Sequence, residues 1–114
     1  LGRLREAVLF AAIAVEIILE NYCKTLLKTG GNLSDEQCDA LLNRRSLGPL
    51  IDLVKTLSQD IDKQQLKELK HLASIRNDIA HGKKRSVSIE EALEAIRATE
   101  HLLEQVGDQI TQTE

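Results

Sequence analysis

Residues 4–28, LREAVLFAAIAVEIILENYCKTLLK, place Leu4, Val8, Ala11, Val15, Ile18, Tyr22 and Leu26 three or four positions apart. That spacing is one face of an α-helix. Leu9, Phe10, Ile13 and Ile17 add apolar side chains around the rest of the wheel. A helix that is apolar nearly all round is covered on several sides. It either lies central in a bundle or forms a subunit interface. Gly30-Gly31-Asn32 follows as a stop signal.

Four more helical segments follow. Ser34-Asp35-Glu36-Gln37 is a capping-box pattern opening a short helix that reaches about Asn43. Leu47-Gly48-Pro49 precedes a third, with Pro49 expected at the first helical position and Leu50, Ile51, Leu53, Val54 and Leu57 behind it. A fourth runs over 63–80. Ser88-Ile89-Glu90-Glu91 is a second capping box, and the fifth helix shows a stripe of Ile89, Leu93, Ile96, Leu103, Val106 and Ile110. One Phe, one Tyr, no Trp, six Gly and one Pro leave little for a multi-stranded sheet. The expected fold is all-α, an antiparallel bundle of about five helices in which the long first, fourth and fifth pack together.

The 114 residues are 42% hydrophobic and 29% charged, a globular balance for one domain over residues 1–114. The sequence opens on Leu1 rather than Met, so this domain can be a piece of a longer protein. The apolar run 7–19 includes Glu16 and is shorter than the roughly 20 residues a membrane span needs, and no signal peptide is evident. Cys23 and Cys38 form no CxxC pair. They read as reduced thiols of a cytoplasmic protein. Net charge is −3, unevenly spread: residues 63–85 sum to +5 and residues 86–114 to −6. An acidic chain with one basic segment does not coat DNA, yet can bind a short anionic ligand locally.

The fourth helix breaks the amphipathic rule. Leu66, Leu69, Leu72, Ala73, Ile75, Ile79 and Ala80 spread over one half of its wheel, and Arg76 falls near the middle of that half. A guanidinium on an apolar face is costly without a partner. Arg76 should therefore point into a cleft, an interface or an internal ion pair, unless it snorkels out to solvent. Glu16, the one charge in 7–19, is a candidate partner or cleft residue. It can equally join Glu20 and Lys24 in a polar stripe.

Asn77 and His81 are four apart and share a face. Arg76 and His81 are five apart, about 140° and about 7.5 Å of rise on an ideal helix. If the helix stops near Ala80 with Gly82 as terminator, the imidazole can swing toward the guanidinium. A helix C-terminus also favours a cationic side chain, which is a structural reason to find His81 there. His71 and His101 read as exposed helix residues. What sets RNDIAHG apart is the combination. Histidine can move a proton near neutrality, while arginine keeps its proton and stabilises charge on phosphate oxygens. Together they suit cleavage of RNA by its own 2′-OH. The basic loop Lys83, Lys84 and Arg85 next to His81 is either a solvated turn or a phosphate contact. No His/Cys/Asp set has metal-ligand spacing, so no metal and no cofactor are expected.

RNDIAHG resembles the signature of the HEPN superfamily: an Arg, a polar residue, four to six residues between Arg and His, then His. The long first helix, the LGPLIDLV helix, the motif near the end of a later helix and a capped last helix resemble the same family. The resemblance implies a helical bundle that pairs, bringing two motifs into one cleft. It also implies either a metal-independent endoribonuclease of toxin–antitoxin or defence systems, or a non-catalytic module that binds nucleotide, nucleic acid or protein. By that resemblance Arg76 holds phosphate, His81 is the acid/base and Asn77 supports them. RNA, a second copy and an antitoxin or companion domain would be the partners. In the toxins silenced by nucleotidyltransferases a Tyr lies two residues after the His. Here that position is Lys83, which argues against such control.

Overall fold

Five helices follow one another in this computed structural model, which describes residues 2–43, 45–83 and 86–111. They are α1 (Gly2–Gly31), α2 (Asp35–Leu42), α3 (Leu47–Leu57), α4 (Lys63–Ala80) and α5 (Ile89–Thr111). Among the described residues there is no strand.

The helix ends follow from local chemistry. Asn32, at φ +55°, supplies the left-handed residue that stops α1, a conformation Asn tolerates better than most residues. The Leu33 amide donates back to the Leu27 carbonyl across that end. Both expected capping boxes form. Ser34 Oγ accepts from the Gln37 amide while Gln37 Oε1 accepts from the Ser34 amide, and Ser88 and Glu91 do the same for α5. The third helix starts earlier than the sequence reading had it. Ser46 is its N-cap and Pro49 is its third residue, not its first. The shift costs nothing, because the first four amides of a helix have no intrahelical acceptor.

Asp60 fixes the relative directions. Its carboxylate accepts from the Tyr22 hydroxyl, late in α1, and from Gln109, late in α5. Asp62 caps α4 and also accepts from Gln105. So α1 and α5 finish at the end where α4 begins. The fourth helix runs antiparallel to both, leaving α1 and α5 side by side in one direction. These two make the most extensive contact in the bundle.

The core joins Val8, Val15, Leu19 and Tyr22 of α1 to Leu50, Ile51 and Val54 of α3, Leu69 of α4, and Leu102 and Val106 of α5. The fifth helix departs from its sequence pattern. It buries Ala92, Ala95, Ala98, Leu102 and Val106, while Ile89, Leu93, Ile96 and Leu103 are exposed. Small residues on the buried faces of both helices, with Ala11 and Ala12 on α1, let two backbones approach closely, and the larger side chains are turned outward. The first helix also resolves into two faces: one lies in the core, and Phe10, Ile13 and Ile17 face solvent. No helix among the described residues is long and apolar enough to cross a membrane.

Candidate functional site

Arg76 lies on the inward half of α4, as its position on the wheel requires, and approaches Glu16 of α1 with Nη2 3.9 Å from Oε1. That distance is an ion pair but too long for a hydrogen bond. Glu16 Oε1 is accordingly buried without a hydrogen-bond partner. Of the sequence readings for Glu16 (partner of Arg76, cleft residue or member of a polar stripe), the ion pair matches the first. The guanidinium, about one-third exposed, is aimed by charge rather than clamped. Among the described residues its N–H groups make no hydrogen bond, so the planar fork keeps its donors for an incoming anion.

The end of α4 is fixed by Gly82. His81 is the C-cap, at φ −94° and ψ 8°, and its amide still bonds to the Asn77 carbonyl. Gly82 then takes φ +71°. Its amide donates to Ile79 and the Lys83 amide donates to Asp78. This pair of bonds around a left-handed glycine is the Schellman closure.

His81 thus stays in helical register, and the left-handed turn comes one residue too late to swing it toward Arg76. No hydrogen bond or ion pair joins the two side chains among the described residues. Asn77 and His81 are both exposed, while Arg76 is half-buried and stands about 100° from Asn77 and about 140° from His81 around the helix. Lys83 is exposed beside them. Lys84 and Arg85 lie outside the described residues.

The sequence reading passed over what α4 and α5 form together. His71 of α4 pairs with Glu94 of α5 at 3.4 Å, and His101 of α5 pairs with Glu68 of α4 at 3.3 Å. Between them runs a groove of about 560 Å³ floored by Leu72, Ile75 and Ala95. Neither Arg76 nor His81 lines it. The periodicity of one helix cannot reveal such a groove, because its second wall comes from another helix. Among the described residues no group of three or more His, Cys, Asp or Glu is placed to hold a metal ion.

The RiboL-PSP-HEPN family model matches residues 12–112, from within α1 to just past the end of α5. No curated protein and no solved structure matches the chain. The matched span holds Glu16, Arg76, Asn77 and His81 on an all-helical frame, and the chain belongs to the HEPN superfamily.

Proposed function

We propose that this HEPN domain is a metal-independent endoribonuclease that cleaves single-stranded RNA, working as a homodimer in the cytoplasm in a toxin or defence role. The observation that carries the reading is the state of Arg76: a guanidinium aimed by Glu16 from an otherwise apolar helix face, with no hydrogen bond committed. A fixed cation with free donors suits a phosphodiester.

In the reaction the ribose 2′-OH attacks the adjacent phosphorus, and the bond from phosphorus to the 5′ oxygen breaks. A neutral His81 takes the 2′-OH proton and a protonated His81 gives one to the departing 5′ oxygen. Arg76 stabilises charge building on the non-bridging oxygens, and Asn77 orients the sugar or phosphate beside His81. The products are a 2′,3′-cyclic phosphate and a 5′-hydroxyl. Arg76 and His81 stand about 140° and about 7.5 Å apart on α4, so in this reading the two groups at one phosphate come from different chains, related by a two-fold axis. The apolar face of Phe10, Ile13 and Ile17 flanks Glu16 on α1, so a second copy seated there would close on the Glu16–Arg76 pair.

The test is a gel of mixed RNA with EDTA present. Wild type should cut RNA and leave DNA intact, since DNA lacks the 2′-OH. His81→Ala should lose roughly 10²–10⁴ in rate and Arg76→Ala roughly 10²–10³. Arg76→Lys should not restore full activity. Cleavage by His81→Ala at the wild-type rate, or abolition by EDTA, overturns the reading.

The separation of Arg76 from His81 within one chain favours one alternative, a non-catalytic HEPN module that binds nucleotide, nucleic acid or a companion protein. Salt-sensitive RNA binding without cleavage would select it.

A further inference from the structure

We propose that the outward face of α4 is a track for the sugar–phosphate backbone of a single-stranded RNA, with Lys63, Lys67 and Lys70 holding phosphates on the way to Asn77 and His81. The track rests on the ribonuclease reading for its purpose but not for its test. Positions 63, 67, 70, 74, 77 and 81 step by four and three residues alternately, which keeps them within about 40° of one line along a helix. All six are exposed. From Lys63 to His81 the line is about 27 Å long at about 1.5 Å per residue, enough for a strand of several nucleotides.

The charges on this line are available. Among the described residues Lys63, Lys67 and Lys70 enter no ion pair. By contrast, Lys24 and Lys28 are tied to Asp35 and Asp39. Lys67 borders the groove as well as the line, and two of the groove's acids are engaged there: Glu68 pairs with His101, and Glu94 of α5 pairs with His71. Beyond that groove, residues 86–114 carry net charge −6. A polyanion is therefore repelled from the α5 side and held on the α4 line, a polarity that a net charge of −3 conceals.

The composition of the line selects the partner. Lys, Lys, Lys, Ser, Asn and His include no Trp, Tyr, Phe or aliphatic anchor, which a protein interface would need at its centre. Flexible ammonium groups read phosphate and not base. The track should accordingly tolerate any sequence.

The experiment uses the whole chain and a fluorescent 2′-O-methyl oligoribonucleotide, which lacks the nucleophile and cannot be cut. The variant is Lys63→Gln/Lys67→Gln/Lys70→Gln, three exposed changes to a good helix former. The control is Arg3→Gln/Arg45→Gln/Lys55→Gln, which removes the same charge elsewhere. Between about 50 and 300 mM salt, the variant should lose about 2 from the slope of log K against log salt. That corresponds to about 0.7 per phosphate contact, and to about 100-fold weaker binding at 0.1 M. The control should keep most of both. Equal losses in variant and control, no loss in the variant, or no binding by wild type in low salt each overturn the track. If the track variant loses binding while no RNA is ever cut, the track stands and the ribonuclease reading falls. If RNA is cut and the variant binds as wild type, the reverse holds.

Discussion

Ile17→Glu tests the proposal that the HEPN domain pairs through the outer face of α1. Ile17 is 54% exposed on the outer face of α1, with Phe10 at 68% and Ile13 at 47%. Folding gains little from a side chain so placed, and the substitution should change stability by no more than about 0.5 kcal/mol. Association is different. Full burial of an Ile is worth about 1.5–3 kcal/mol, so a half-covered Ile17 has about 1 kcal/mol left to gain on pairing. A two-fold axis doubles every term. Each new carboxylate would also enter the interface beside Glu16 and Glu20, adding about 1 kcal/mol of repulsion per copy at surface screening. The total, about 4 kcal/mol, raises the dimer dissociation constant by about 10³. Sedimentation velocity over a concentration series measures it, and thermal melting by circular dichroism checks that the monomer stays folded. Leu41→Glu, an equally exposed site on α2, should leave association unchanged. A variant that dimerises as tightly as wild type, or a wild type that stays monomeric at high concentration, would refute the reasoning.

Three further outcomes are expected. Gly82→Ala should destabilise by about 1–2 kcal/mol in urea titration, because the cost is purely conformational: φ is +71° and nothing lies within 4 Å of a new Cβ. Gly82→Asn should cost less. Ala98→Leu should cost about 1–3 kcal/mol by overfilling the α1–α5 contact, a fall of roughly 4 °C in melting temperature for each kcal/mol. Burial pushes the Cys23 thiol from 9.0 up to about 11 and raises the Tyr22 phenol above its ordinary value. A group whose folded value is raised stabilises fully below its unfolded value and loses that contribution as pH rises through the folded one. Wild type should therefore lose roughly 3 kcal/mol more than Cys23→Ala between about pH 9 and 11, and equal losses would rule the thiol out.

The extent of what sequence alone determined differs from element to element. Helix starts were legible at Ser34 and Ser88 because a cap is a contact between near neighbours. The stop at Gly82 was legible for the same reason, since the left-handed turn needs only a glycine. Arg76 stood out because one charge on an apolar half-wheel violates a rule that can be checked without coordinates. The residue type at 76 and 81 carried the candidate chemistry on its own.

Tertiary structure decided which of several apolar faces is the core. On α5 the sequence offers a stripe of large residues beside a stripe of alanines, and hydrophobic periodicity favours the large one. The bundle chose the small one, because the close approach of α1 and α5 leaves room for Ala92, Ala95 and Ala98 but not for Ile96 or Leu103. It also decided that Glu16 faces Arg76, a pairing across 60 residues of chain, and that His81 stays in helical register at the end of α4. Caps and turns are set by side chains a few positions apart, whereas the choice of face and the placing of Arg76 depend on distances between helices, which no single stretch of sequence contains.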